Sequence, residues 1–353
     1  MEQDAMFDRL GLTVPLIQAP MAGVSTPALA AAVSNAGGLG SLGIGASTPE
    51  QARAMIEATR AATDKPFNVN VFCHQPARRD AGLETAWLAR LAPFFAEFGV
   101  AVPAGITEIY KTFLDDDDAF QVLLETRPAV VSFHFGLPEG DRIAALRDAG
   151  IRTMATATSL REAEAIAAAG IDAIVAQGIE AGGHRGVFDP AANDERLGTL
   201  VLTRLLVRSS GLPVVAAGGI MDGQGIRATL DLGAAAAQLG TAFILCPESS
   251  ANAGYRAHLK SGRAASTRLT AVLSGRPARG IVNRFIEACD GPGARPAAYP
   301  VAYDAAKQLH AAASRCGVEE FAAHWAGQGA PLSRELPAGE LVRVLIDEAG
   351  LGH

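Results

Sequence analysis

The strongest candidate for acid–base chemistry in this sequence is a histidine flanked by glycines. His184 stands in the run Gly182-Gly183-His184-Arg185-Gly186. Glycines on either side let a loop carry an imidazole into a pocket without steric cost. A histidine whose pKa lies near neutrality is suited to proton abstraction. A loop histidine bonded to solvent would have the same sequence, so its place in the fold must decide. Glu180 could serve as a second base or pair with Arg185.

Two further pairs of residues are suited to binding a phosphate. Gly218-Gly219 and Gly240-Thr241 each follow a short apolar run. Glycine lets the backbone approach an anion closely, and the free N–H groups at the start of a helix point towards it. Either pair alone could simply form a tight turn. Both pairs, at neighbouring predicted strand ends, favour a phosphate site.

A third group is a row of two tyrosines and a lysine. Tyr299, Tyr303 and Lys307 recur at intervals of four, which aligns them on one face of a helix. Pro300 suits the first turn of that helix. Two phenols and an ammonium group could bind a small anion. On spacing alone, an ordinary amphipathic surface is the favoured interpretation.

A repeated unit predicts the elements that position these groups. It consists of an Ala-rich helical stretch, a glycine that ends the helix in the left-handed conformation, and an apolar run without polar alternation. Such runs are typical of parallel strands buried on both faces. With three further runs, the predicted strands are Val14–Ala19, Leu39–Ile44, Phe67–Phe72, Ala129–Phe135, Ile151–Ala157, Ile171–Gln177, Leu212–Ala217 and Ala234–Leu239.

Eight strands that alternate with helices predict an α/β fold, the (β/α)8 TIM barrel. An open doubly wound sheet is disfavoured because no G-x-G-x-x-G follows the first strand. We predict an insert after strand 3, at about residues 73–128, and a helical segment after strand 8. The expected division is a barrel of residues 1–246 and a C-terminal lid segment, 247–353, that completes the active site. Barrel active sites lie at the carboxyl ends of the strands, where His184 falls after strand 6.

Composition narrows the class of protein further. The chain has 353 residues and a formal net charge of −7, with no basic stripe for nucleic acid. Its first ten residues lack the basic and apolar regions of a leader, and no apolar stretch is long enough for a membrane span, so we expect a cytoplasmic protein. The four cysteines have no metal-binding spacing, and the acidic run at 115–118 is interpreted as a solvated turn. We therefore expect no metal site.

At these residues the chain resembles the nitronate monooxygenases, FMN enzymes of the bacterial class I type. The resemblance covers nearly the whole chain. The segments that carry it are Gln18–Gly23, Ser34–Gly40, Phe67–His74, Val131–Gly136, Gln177–Gly186, Gln238–Phe243 and Ser274–Gly280.

The resemblance implies a role for individual residues. His184 matches the family's catalytic base. The implied FMN contacts are Met21, Ala22, Asn70, Gln177, Gly182, Gly218, Gly219, Gln238, Leu239, Gly240 and Thr241. The implied substrate contacts are Tyr110, His134, Tyr299, Tyr303 and Lys307.

The implied reaction is oxidation of alkyl nitronates, of the propionate 3-nitronate type, by FMN and O₂. It gives a carbonyl product with nitrite or nitrate, and its role would be detoxification. Two alternatives stay open: an NAD(P)H-dependent flavin reductase (quinone or enoyl) on the same barrel, and a non-catalytic sensor of flavin or a phosphate ligand. The sequence leaves the oligomeric state open.

Overall fold

Parallel strands that alternate with helices dominate the fold, in a computed structural model that describes residues 5–352. The strands are β1 (Leu16–Gln18), β2 (Gly40–Gly43), β3 (Phe67–Phe72), β4 (Val130–His134), β5 (Arg152–Ala157), β6 (Ala173–Gln177), β7 (Gly183–His184), β8 (Val214–Ala217), β9 (Ala236–Leu239), β10 (Thr267–Thr270) and β11 (Ala278–Ile281).

Eight of these strands form the predicted barrel. They pair in parallel in the order β1-β9-β8-β6-β5-β4-β3-β2, and a bridge from Ile17 to Leu39 joins the two ends of the sheet. Each barrel strand lies inside its predicted run, and β3 matches its run residue for residue. The prediction of a (β/α)8 barrel is confirmed.

Helices surround the barrel and build the two excursions from it. They are α1 (Ala5–Arg9), α2 (Pro27–Asn35), α3 (Pro49–Ala62), α4 (Ala81–Glu97), α5 (Asp117–Thr126), α6 (Gly140–Asp148), α7 (Leu160–Ala168), α8 (Thr199–Ser209), α9 (Gly223–Asp231), α10 (Ala253–Leu259), α11 (Arg284–Cys289), α12 (Val301–Arg315) and α13 (Ala338–Glu348).

The glycines that precede the apolar runs have the predicted left-handed conformation. The φ angles are 95° at Gly37, 81° at Gly150, 74° at Gly170, 68° at Gly211 and 96° at Gly233. Side chains with a β-carbon rarely adopt these angles, so each glycine lets a helix end and the next strand begin at once.

A polar layer lies inside the barrel, above an apolar base. The Gln18 Oε1 atom accepts a hydrogen bond from the Ser41 amide at 2.9 Å. Asn68 Nδ2 donates to the Ser132 hydroxyl at 3.0 Å, and Asn70 Nδ2 donates to the same hydroxyl at 2.9 Å. These residues are buried, so the bonds fix the polar ends of β3 and β4 below the cavity described in the next section.

The insert and the segment after the barrel share one hydrophobic core. Helix α4 of the insert packs on α12, with Trp87, Phe95, Phe285 and Leu309 buried between them. Helix α13 instead returns to the barrel wall and packs on α2 and α9. The division of the chain at residue 246 stays a prediction.

The expectation of a leaderless N-terminus falls partly on residues 1–4, which lie outside the described residues. Within the described part, no helix is both long and apolar enough to cross a membrane.

In the acidic run, the Asp116 carboxylate caps α5 by accepting the Ala119 amide at 3.2 Å. An antiparallel sheet of β10, β11 and β7 was not predicted.

Candidate active site

A cavity of about 920 Å³ lies at the carboxyl ends of the barrel strands. The size is within the range typical of cofactor and ligand sites. All but one of the predicted site residues line it: Met21, Ala22, Asn70, Tyr110, His134, Gln177, Gly182, His184, Gly218, Gly219, Gln238, Gly240, Thr241, Tyr299, Tyr303 and Lys307. The exception is Leu239, whose side chain packs in the core between the barrel and its outer helices.

The unpredicted sheet holds His184 in this cavity. His184 forms β7 and pairs with Ala278 of β11. Its Nε2 atom lies 2.9 Å from the Ser274 hydroxyl, which itself donates to the Arg276 carbonyl at 3.0 Å. Because the serine hydroxyl donates its only proton to that carbonyl, it can only accept from Nε2–H of His184. The lone pair of the imidazole is therefore on Nδ1.

The electrostatic environment keeps the histidine neutral. Burial, with smaller contributions from His134 and Arg276, lowers the pKa of His184 to about 3. The imidazole is therefore unprotonated at physiological pH and Nδ1 is free to accept a proton, but a pKa this far below neutrality makes it a weaker base than the sequence predicts.

Two predicted site residues support the backbone of this histidine. The carbonyl of His184 accepts hydrogen bonds from Gln177 Nε2 at 2.9 Å and from His134 Nε2 at 3.2 Å. The second polar atom of each side chain is also held in place: Gln177 Oε1 accepts from the Gly186 amide, and His134 Nδ1 lies 3.0 Å from the Thr156 hydroxyl. Burial lowers the pKa of His134 to about 4, which keeps this ring neutral as well.

The row of two tyrosines and a lysine faces the cavity. Tyr303 and Lys307 lie on α12, whereas Tyr299 precedes the helix because Pro300 is its N-cap. The buried Tyr299 hydroxyl has no hydrogen-bond partner among the described residues. The Lys307 Nζ atom lies 4.8 Å from the ring centroid of Tyr110 and 5.1 Å from that of Tyr303. The row therefore lines a pocket, and the interpretation as an amphipathic surface is wrong.

Several residues that shape this wall could not be predicted from the sequence. Trp325 packs on His184 with ring centroids 5.2 Å apart. Phe135, whose φ is 76°, lies edge-on to His184 at 5.7 Å. Ser274 and Arg276 fall in a segment that carried the family resemblance, but nothing in that segment indicated their contacts. A lone tryptophan in a loop carries no signal of its own.

Glu180 takes part in the structure of the loop. Its carboxylate accepts the Thr199 amide at 2.9 Å and the Thr199 hydroxyl at 2.8 Å. Arg185 pairs with Asp194 at 2.9 Å, so the alternative pairing of Glu180 with Arg185 does not form. The amide at the start of α8 is the partner of Glu180 because carboxylates are stabilised at helix N-termini.

The predicted phosphate loops present free backbone donors. In the part of the chain that the structure describes, the N–H groups of Gly219, Gly240 and Thr241 donate to no protein acceptor. Gly219 has a φ of 71°, a conformation that a side chain would disfavour. The predicted helix after Gly240 is a three-residue 3₁₀ helix, Thr241–Phe243. Unpaired amides beside the cavity are suited to a phosphate, so the residues present fit a phosphorylated cofactor.

The charge of the wall also favours anions. Lys307 is the one charged side chain among the lining residues, all of which lie within residues 5–352. The protein as a whole carries a net charge of −7, yet no aspartate or glutamate of residues 5–352 lines the cavity. A bound anion would meet no repulsion from a neighbouring carboxylate.

Comparisons with known proteins agree on one family. A model of the nitronate monooxygenase family matches residues 3–348. A nitronate monooxygenase from Pseudomonas aeruginosa is 59% identical over 96% of this chain and 97% of its own length. One from Paraburkholderia phytofirmans is 59% identical over 97% of this chain and 93% of its own.

Solved structures of similar fold also cover nearly the whole chain. A nitroalkane oxidase from Streptomyces ansochromogenes superposes with a TM-score of 0.89, at 43% identity, over 98% of both chains. FabK from Thermotoga maritima superposes with a TM-score of 0.71, at 29% identity, over 98% of this chain and 96% of its own.

Proposed function

We propose that this chain, which belongs to the nitronate monooxygenase family, oxidises alkyl nitronates of the propionate 3-nitronate type with FMN and O₂. The products would be a carbonyl compound and nitrite or nitrate. The observation that carries the proposal is the composition of the cavity wall. Phenol groups and Lys307 surround a neutral His184, and among the described residues no carboxylate lines the cavity to repel an anionic substrate.

FMN is proposed as the flavin because the chain offers donors for one phosphate. Gly219, Gly240 and Thr241 would hold that phosphate through their unpaired N–H groups. Asn70 and Gln177 would contact the ring system from the ends of β3 and β6. When bound, the flavin supplies the electron-accepting and oxygen-reacting chemistry, which amino-acid side chains lack.

The other residues would bind and orient the substrate. The unpaired Tyr299 hydroxyl can donate to an oxygen of the nitronate. Lys307, at the edge of the cavity, can pair with a carboxylate on the far end of the molecule. His184 Nδ1 can accept the proton of a neutral nitroalkane, and Ser274 holds the tautomer that leaves Nδ1 free. Trp325 packs against the imidazole and would help to exclude water from it.

Oxygen uptake tests the proposal directly. The purified yellow protein should consume O₂ with propionate 3-nitronate at the same rate with and without NADH. The flavin released by heat should be FMN. Release of FAD would contradict the assignment of the phosphate site, and a failure to consume oxygen with any nitronate would contradict the proposed reaction.

A further inference from the structure

Arg276 is a buried arginine that forms no salt bridge within residues 5–352. Its side chain is only 4% exposed. One guanidinium nitrogen donates to the carbonyl of Val187, while Nε has no hydrogen-bond partner in the described part of the chain. Burial lowers the pKa of Arg276 to about 10, so the group still carries its charge at neutral pH. The carboxylates of Glu162 and Asp189 stabilise this charge only from beyond salt-bridge distance. Burying a cation without a direct ion pair is costly, which suggests a function for it.

Phe135 connects this cation to the candidate active site. The guanidinium carbon of Arg276 lies 4.3 Å from the centroid of the Phe135 ring. The same ring lies 5.7 Å from His184 and 5.5 Å from Tyr299, centroid to centroid. Phe135 keeps this position with a φ of 76°, which is unfavourable for a residue with a side chain.

A second cation stands at the other end of the same set of rings. Lys307 lies over Tyr303, and the Tyr303 ring lies 6.2 Å from that of His184. One aromatic ring thus separates the imidazole from each of two positive charges: Phe135 from Arg276, and Tyr303 from Lys307. Lys307 is exposed at the edge of the cavity, whereas Arg276 is enclosed behind Phe135.

We propose that Arg276 is a specificity-determining residue of this site, whose fixed charge makes the inner end of the cavity bind anions in preference to neutral molecules of the same shape. The inference rests on the proposed function in one respect: the anion selected there would be the nitronate group itself. Lys307, on the cavity wall, then serves the carboxylate of a dianionic substrate, and Arg276 acts on the nitronate end from behind Phe135.

The chemistry of the site requires such a charge. His184 must stay neutral to act as a base, so it cannot also supply a positive charge to the nitronate. A guanidinium does not lose its proton in a protein, so it provides that charge at every working pH. In agreement, Arg276 is among the charges that hold down the pKa of His184, His134 and His74, each lowered mainly by burial.

Binding of two unreactive ligands to the flavin-loaded protein tests the proposal. Isobutyrate has the heavy-atom connectivity of the nitronate of 2-nitropropane, with a planar carboxylate in place of the nitronate oxygens, and isobutyramide is its neutral counterpart. Dissociation constants can be measured by calorimetry, with the flavin absorbance as a second signal. We expect Arg276→Gln to raise the dissociation constant of isobutyrate by roughly tenfold, which is the effect of one unit charge acting through the protein interior. The dissociation constant of isobutyramide should not change.

Two further variants separate charge from structure. Arg276→Lys keeps the charge and should retain the preference for isobutyrate. Arg268→Gln removes an arginine from β10 that lies 3.9 Å from Asp290 at the surface, and it should behave as wild type. An unchanged ratio of the two dissociation constants in Arg276→Gln would overturn the proposal.

If Arg276→Gln does not fold, Lys307→Met tests whether Arg276 is the source of the preference for isobutyrate. Lys307 is exposed, so its removal should leave the fold intact. The remaining preference for isobutyrate would then come from Arg276, and its complete loss in this variant would refute the role of Arg276. These binding data do not depend on turnover, so a protein that selects anions but does not oxidise nitronates would contradict only the proposed function.

Discussion

The Nε2 atom of His184 and the hydroxyl of Ser274 are 2.9 Å apart, and the serine proton is donated to a backbone carbonyl. The direction of these two bonds leaves the imidazole lone pair on Nδ1. A proton acceptor at His184 Nδ1 matters for a neutral nitroalkane, which must lose a proton before it is oxidised. It matters much less for a nitronate, which has already lost it. This difference can be measured.

Replacing His184 by asparagine should affect the two kinds of substrate differently. Turnover of neutral nitroalkanes should fall by about 10²–10⁴-fold, the usual cost of losing a general base. Turnover of preformed nitronates should fall far less. Steady-state oxygen uptake with a nitroalkane and its own nitronate gives both values. Equal losses on the two substrates would show that His184 positions the substrate and does not act as a base.

Ser274→Ala removes the partner of the imidazole without removing the base. We expect kcat/KM for a neutral nitroalkane to fall by roughly three- to tenfold, since one hydrogen bond is lost and the tautomer is no longer fixed. The value for a preformed nitronate should stay near that of wild type. Ser209→Ala, on the exposed side of α8, is the matched control. A loss of the same size on the nitronate would mean that Ser274 only supports the fold.

Lys307→Met should change the preference between substrates. A nitronate that bears a carboxylate has a second anion to pair with Lys307, whereas a simple alkyl nitronate has none. The KM for the carboxylate-bearing nitronate should therefore rise much more than the KM for the simple alkyl nitronate. Lys65→Met, which removes an exposed lysine beside Asp64, is the control. If the ratio of the two KM values does not change, Lys307 does not contact the substrate.

Gly240→Val tests the proposed phosphate site. A β-carbon at this position would lie 3.4 Å from the Ala19 Cβ atom, an ordinary contact, and the φ of Gly240 is −106°. The variant should therefore fold, but the larger side chain should cover the unpaired N–H groups and give colourless protein. Gly105→Val, at a position with open space around it, should stay yellow. A Gly240→Val protein with its full flavin content would place the phosphate elsewhere.

The barrel could be predicted because its signals are local. Each unit repeats an apolar run after a glycine such as Gly150 or Gly233, and both have the left-handed conformation that the pattern requires. A parallel strand buried on both faces can be recognised from its own continuous apolar run, without knowing which strands it pairs with. The carboxyl ends of these strands then had to meet, and His184 and Gly240 were expected together for that reason.

The rest of the site depends on contacts between distant segments. Ser274 is 90 residues from His184 in sequence, and the sheet that joins them includes a strand of only two residues. Trp325 reaches the imidazole from a loop with no periodic pattern. Arg276 would be expected at the surface from its type alone. Only the fold shows that it is buried against Phe135.

The surroundings of the cavity predict how the protein responds to nicotinamides. A flavin reductase must stack a nicotinamide on the flavin and bind the phosphates of a second nucleotide, which requires basic side chains along an open groove. Arg276 and Arg279 are the compact basic pair nearest the site. Both are buried, and the structure uses them internally, since Arg276 donates to the Val187 carbonyl and Arg279 to the Ile179 carbonyl at 3.1 Å.

We therefore predict that NADH or NADPH, added without oxygen, leaves the flavin oxidised on the timescale of turnover. A nitronate added in the same way should bleach it, because in the proposed reaction the substrate is the source of electrons. Stopped-flow absorbance of the flavin band measures both rates in one experiment, and buffer alone is the control. Rapid bleaching by either nicotinamide would favour the flavin reductase alternative, and the barrel and the proposed phosphate site would be unaffected by that result.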